Sequence, residues 1–193
     1  MKISSIKKVC FIITACMISS YATAADYVID NKGAHASINF KIKHLGYSWL
    51  IGRFDTFGGT FSYDPTNISA SKISVDISTK SINSNHADRD KHLKSDDFLD
   101  VSKFSKAQFV SSSFTDKGND NLEISGDLTL HGVSKNIIIQ AKKVGEGKDP
   151  WGGYRVGFSG TTTLTLKDYD IKMDLGPASA QVEMQLYIEG IKK

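Results

Sequence analysis

Alternation with a period of two most restricts what this chain can fold into. Ile38, Phe40 and Ile42 alternate with Ser37, Asn39, Lys41 and Lys43, and Ile73, Val75 and Ile77 with Lys72, Ser74, Asp76 and Ser78. Leu122, Ile124, Leu128 and Leu130 share one parity around Gly126, and Ile137 and Ile139 continue the theme. Leu164 and Leu166 follow a threonine-rich stretch, and Val182, Met184, Leu186 and Ile188 close the chain. Successive side chains of an extended backbone point to opposite faces, so each run has one apolar and one polar face. Antiparallel strands wetted on one side have this pattern. Turn formers separate the runs: Asp30-Asn31-Lys32-Gly33, Gly58-Gly59, Asp64-Pro65, Lys117-Gly118-Asn119-Asp120 and Asp149-Pro150-Trp151-Gly152-Gly153. Strands so punctuated predict an all-β domain, either a sandwich or a closed barrel, and closure would remove exposed strand edges.

One segment breaks the period. Residues 85–99 show no alternation and carry helix formers. Asn85 is read as the N-cap, with Asp88 in an acidic first turn. Asp88 and His92 stand four apart, as do Asp90 and Lys94, so each pair shares a helical face. The spacing predicts one short helix beside or over a barrel end, with Leu93 turned inward.

The chain has 193 residues, enough for one medium domain. Lys2, Lys7 and Lys8 precede the apolar run Val9-Cys10-Phe11-Ile12-Ile13-Thr14-Ala15-Cys16-Met17-Ile18, and Ala22-Thr23-Ala24 supplies a small-x-small cleavage pattern. Residues 1–24 are therefore expected to be a cleaved secretory signal, and 25–193 the mature domain. Ile13-Thr14-Ala15-Cys16 loosely resembles a lipoprotein cleavage box, a competing reading that would leave a lipid on Cys16. The apolar run is too short to span a ~30 Å hydrocarbon core. Cys10 and Cys16 both fall in the signal, which leaves the mature domain without thiolate chemistry or disulfides. The formal charge of +3 vanishes with the three leading lysines, because the remaining basic residues equal the 21 acidic ones. A strongly basic nucleic-acid binder is excluded.

Catalytic signatures are thin. The histidines are His35, His44, His86, His92 and His131, with no H-x-x-x-H pair. His86 and His92 are six residues apart, about 240° round a helix, and face different ways. They read as surface or capping histidines, and zinc held with His44 or His131 is the alternative. Arg89 and Asp90 read as a solvated helical face unless Arg89 and His92 turn toward a barrel mouth. No Gly-x-Ser-x-Gly elbow and no phosphate-cradling glycine loop occurs. Trp49, Phe54, Phe57, Phe61 and Tyr63 crowd together with Gly46, Gly52, Gly58 and Gly59. They either pack an ordinary core or line a barrel of about eight strands with room for one slender ligand.

Longer blocks carry a resemblance. Residues 25–30 (ADYVID), 39–50 (NFKIKHLGYSWL), 85–100 (NHADRDKHLKSDDFLD), 126–133 (GDLTLHGV), 149–153 (DPWGG) and 175–179 (LGPAS) are similar to motifs of the YceI family of exported proteins. Ser105 departs from the proline that relatives commonly carry there. The resemblance implies an extended, lipocalin-like antiparallel β-barrel with one short helix. It further implies a binding protein of the Gram-negative periplasm that holds a polyisoprenoid or isoprenoid-quinone-like lipid. It brings no catalytic residues, metal or other cofactor.

On this reading the apolar lipid is lined by Ile38, Phe40, Ile42, Trp49, Phe54, Phe61, Ile73, Val75, Ile77, Leu128 and Leu164. His44, Arg89 and His92 are taken as polar groups at the mouth. A homodimer and a transient membrane contact are compatible partners, and nucleic acid is not. The rival reading is an enzyme using a metal or His and carboxylate groups on a lipid-like substrate; a third is a stress-related interaction protein.

Overall fold

The computed structural model describes residues 24–193; the expected signal segment up to residue 23, with Cys10 and Cys16, lies outside the described residues. Eleven strands form: β1 (Ala25–Ile29), β2 (Ser37–His44), β3 (Ser48–Phe54), β4 (Phe57–Tyr63), β5 (Lys72–Ser78), β6 (Ile82–Asn83), β7 (Lys106–Gly118), β8 (Asn121–Leu130), β9 (Val133–Lys148), β10 (Tyr154–Thr165) and β11 (Gln181–Lys192). All pairings are antiparallel, and the order β1-β4-β5-β7-β8-β9-β10-β11 closes on itself through β1–β11. That ring is an eight-stranded barrel.

Its length comes from a partner switch along β11. The C-terminal part of β11 pairs with β1 (Ile29↔Gly190), whereas its N-terminal part pairs with β2 (Val182↔Ile42 to Tyr187↔Ser37). The chain then bends β3 into β4 at Asp55-Thr56 and β5 into β6 through a 3-10 turn at Thr79–Ser81. Two short walls result, β1-β4-β5 above and β2-β3-β6 below, both leaning on the long strands β7 to β11.

At the switch the loop leaving β1 is pinned by ions. Arg155 donates to Asp30 and Glu189, each at 2.6 Å, and to Asp149 at 2.8 Å. Asp30 is only 4% exposed and also accepts from the Gly33 N–H and the His35 ring. The Arg155 guanidinium, followed by the Gly33 amide, holds the Asp30 carboxyl far below the ordinary carboxylate range. A carboxyl lowered on folding stabilises the fold fully above about pH 4, and this contribution fades as pH falls through the folded value. Asp30→Asn is therefore expected to cost about 1–3 kcal/mol at neutral pH and to flatten the acid side of the stability curve. Urea midpoints measured from pH 7 down to pH 2 check this; parallel curves for the two proteins would contradict it.

The helix α1 (Ala87–Leu93) is shorter than residues 85–99, and its cap differs from the expected one. Asn85 takes a left-handed φ of 60°, while His86 is extended and its Nδ1 accepts the Arg89 N–H at 3.2 Å. The side-chain pairs also differ. Asp90 accepts from the Ser84 N–H and hydroxyl, which ties the helix back to β6, and His92 pairs with Asp97 rather than Asp88.

Candidate functional site

The inward parity of nearly every strand meets in a hollow interior. An upper cavity of about 120 Å³ is lined by Ile38, Phe61, Ile73 and Val75 among others, with Phe109, Phe114 and Phe158 across from them. A lower cavity of about 300 Å³ is lined by Phe40, Ile42, Leu50 and Phe54 from β2 and β3, and by Leu93, Phe98 and Leu99 from the helical segment. Ile77, Leu128, Leu164 and Met184 line both cavities and form the waist between them. These two chambers are end to end along the barrel, and their walls are almost wholly hydrocarbon.

Local chain geometry builds this hollow. On β2 and β3 the pairs Ile38↔Phe54, Phe40↔Gly52 and Ile42↔Leu50 all face inward. A Cβ at Gly52 would collide with the Phe40 ring, so the glycine is what lets that ring cross the neighbouring strand. Phe61 stacks on Tyr27 with ring centres 4.9 Å apart and meets Phe158 edge-on. On β7 a bulge between Ser111 and Ser113 shifts the parity, so that Ala107 and Phe109 before it and Phe114 after it all point inside.

Of the residues expected to line the ligand, Ile38, Phe61, Ile73 and Val75 lie in the upper chamber, Phe40, Ile42 and Phe54 in the lower one, and Ile77, Leu128 and Leu164 at the waist. Trp49 does not line the interior. It has the opposite parity to Leu50 and Phe54, is 47% exposed, and lies under the Lys41 and Lys43 ammonium groups on the outer face. Leu50 takes the inward position instead.

The polar residues expected at the mouth, His44, Arg89 and His92, all border the lower chamber. His44 and His92 are exposed and Arg89 is half-buried. Arg89 donates through Nε to the Ser84 hydroxyl at 2.8 Å and through Nη2 to the Ser84 carbonyl, while His92 Nε2 lies 2.9 Å from Asp97. The remaining polar group of this chamber was not legible beforehand. Tyr169, 2% exposed, closes the 3-10 turn Leu166–Tyr169 after β10, and its hydroxyl has no hydrogen-bond partner. Burial, with a smaller contribution from Asp168, pushes this phenol up to about 12. Leaving such a donor unpartnered costs about 1–3 kcal/mol.

The barrel wall is also incomplete on one side. β9 and β10 pair from Lys148↔Tyr154 to Gln140↔Thr161, and beyond that the ladder stops. An open cleft lies there, bordered by Ile137, Ile138, Thr162, Thr163, Leu164 and Tyr169. Tyr169 and Leu164 thus belong to the cleft and to the lower chamber at once.

Among the described residues, one group of three metal-ligating side chains converges: Asp30, His35 and Glu189. Arg155 already bridges the two carboxylates, so that group is the ion-pair cluster of the β1 loop. His131 is engaged elsewhere, with Nδ1 2.9 Å from the Tyr169 carbonyl and its ring against Phe104.

The YceI-like domain model covers residues 27–190, from the first strand of the barrel to the last. The chain belongs to the YceI-like family. A UPF0312 protein of Shewanella sp. strain ANA-3 is 61% identical over 172 residues, 89% of this chain and 90% of its own. One from Shewanella denitrificans is 59% identical over 177 residues, 92% of this chain and 93% of its own. Among solved structures, the YceI protein of Campylobacter jejuni superposes with a TM-score of 0.72 at 28% identity, over 79% of this chain and 91% of that one. Two others share the fold at lower identity. Burkholderia cenocepacia BcnA has a TM-score of 0.75 at 16% identity, over 83% of this chain and 98% of that one. A polyisoprenoid-binding domain of Saccharophagus degradans has a TM-score of 0.64 at 15% identity, over 89% of this chain and 100% of that one. The YceI-like barrel is therefore the architecture of this chain, closed and antiparallel with one short helix.

Proposed function

We propose that this protein sequesters and carries a long apolar lipid, a polyisoprenoid or an isoprenoid-quinone-like molecule, lying lengthwise through the two chambers. The observation that carries this reading is the pair of hydrocarbon-walled cavities that share Ile77, Leu128, Leu164 and Met184 as lining. A hollow that is narrow, elongated and apolar suits a chain better than a compact molecule. The name of the Saccharophagus relative points the same way. The lower chamber holds the head group, near His44, Arg89 and His92, and the upper chamber holds the tail. No catalytic step is assigned: at the mouth Arg89 faces Ser84 and His92 faces Asp97. The lysine-led apolar segment and Ala22-Thr23-Ala24 support export, and the carrier then works in the Gram-negative periplasm, where a lipid crossing water needs a sheath. Among the described residues no helix is long and apolar enough to cross a membrane.

Burial of each five-carbon unit gains roughly 3–4 kcal/mol before ordering costs. Affinity of the delipidated protein for isoprenoid alcohols is therefore expected to climb steeply with chain length until both chambers are filled. Titration with a length series checks this. An affinity that does not change with length would overturn the carrier reading.

A further inference from the structure

We propose that the Tyr169 hydroxyl is the polar anchor of the bound lipid, donating a hydrogen bond to an uncharged oxygen acceptor on its head group. This rests on the carrier reading and deepens it. Among the described residues, Tyr169 Oη is the one buried side-chain polar atom without a partner. It belongs to a residue that lines the lower chamber, where Arg89 and His92 are tied to Ser84 and Asp97. The Tyr169 backbone is fixed independently. Its carbonyl meets His131 Nδ1 at 2.9 Å, and Asp170 ends the turn in a left-handed conformation at φ 56°. The side chain itself belongs to the buried apolar cluster of the barrel, so protein contacts surround the ring without a ligand.

The chemistry selects the acceptor. A phenol this deeply buried stays protonated through the physiological range, so it offers an O–H and no charge. Its natural complement is a carbonyl, ether or hydroxyl oxygen on an otherwise apolar chain. A bare hydrocarbon would leave the donor unpartnered, and a site built around such a donor discriminates against ligands that lack the acceptor. The adjoining β9–β10 cleft carries Thr161, Thr162, Thr163 and Thr165 beside Tyr169, a mixed polar border unlike the hydrocarbon walls of the upper chamber. This foot of the cleft is where an oxygen-bearing head finds both its donor and a polar exit.

The test compares the wild-type protein with Tyr169→Phe, both delipidated, against three isoprenoids of equal length: one ending in a quinone-type carbonyl, one in a hydroxyl and one in hydrocarbon alone. Wild type is expected to hold the oxygenated lipids about five- to tenfold more tightly than the hydrocarbon. Tyr169→Phe is expected to erase that preference, leave hydrocarbon affinity unchanged, and melt no lower without ligand. The carbonyl and hydroxyl arms identify which oxygen is read. Unchanged discrimination in Tyr169→Phe overturns the anchor, and binding of the hydrocarbon arm by both proteins would still uphold the carrier. Failure of wild type to bind any of the chains would sink the carrier reading and the anchor together. A second readout uses wild type alone: the infrared carbonyl stretch of the bound quinone-type lipid should fall relative to the lipid in hydrocarbon solvent. An unshifted band overturns the anchor for a carbonyl head group even if the variant does not fold.

Discussion

Leu128→Trp is expected to abolish binding of long isoprenoids while leaving the protein folded and still able to hold short ones. Leu128 is buried and borders both chambers at the waist. An indole there fills the passage, so the tail can no longer enter the upper chamber. Each excluded isoprene unit forfeits roughly 3–4 kcal/mol of gross burial, and even one unit lost corresponds to about a hundredfold in affinity before ordering costs are subtracted. Because the new ring grows into empty space, its overpacking cost is expected at the low end of about 1–3 kcal/mol. Leu128→Ala provides the opposite control: it widens the waist, so long chains remain bound. Titration with short and long isoprenoid alcohols, alongside a melting curve, reads both effects. A folded Leu128→Trp protein that binds long chains like wild type would show that the ligand does not thread the waist.

Phe61→Ala is expected to produce the largest loss of stability of any single truncation considered. Phe61 is 5% exposed, stacks on Tyr27, and meets Phe158 edge-on at 5.9 Å. Its ring also occupies the space over Gly190, where no side chain stands in its way. Removing it deletes the burial of a whole ring and leaves a void that the barrel staves cannot close. The cost is about 3–5 kcal/mol. A lowered urea midpoint with an unchanged slope is the expected outcome. A loss below 1 kcal/mol would mean that the upper end is not held by this aromatic stack.

How much of this was readable beforehand depends on the range of the signal. Ile38, Phe40 and Ile42, or Ile73, Val75 and Ile77, betray their inward face through local alternation, because a strand imposes it on neighbouring positions. The same rule would have excluded Trp49, which alternates with Leu50 and Phe54 on β3. Its aromatic bulk and its place in a glycine-rich stretch obscured its parity. Phe109 and Phe114 escaped for a different reason: the bulge between Ser111 and Ser113 puts an odd and an even position on one face, so no period survives. Tyr169 lies in a 3-10 turn with no alternation at all, and what singles it out is the missing partner of its hydroxyl. The helix was visible in residues 85–99, but its cap was not. Asn85 is the better capping residue by type, yet the chain turns through it in a left-handed conformation and leaves the cap to His86. The switch of β11 from β1 to β2 joins distant segments, and nothing local announces such a register.

The central claim is that the joined chambers enclose a lipid tail. Its most direct test is to purify the protein under native conditions, extract it with organic solvent, and identify and count what is released by mass spectrometry. The expected result is close to one long isoprenoid-type lipid per chain, recovered from wild type and absent from Leu128→Trp. Recovery of no lipid from correctly folded wild-type protein, or of only small polar molecules, would contradict it.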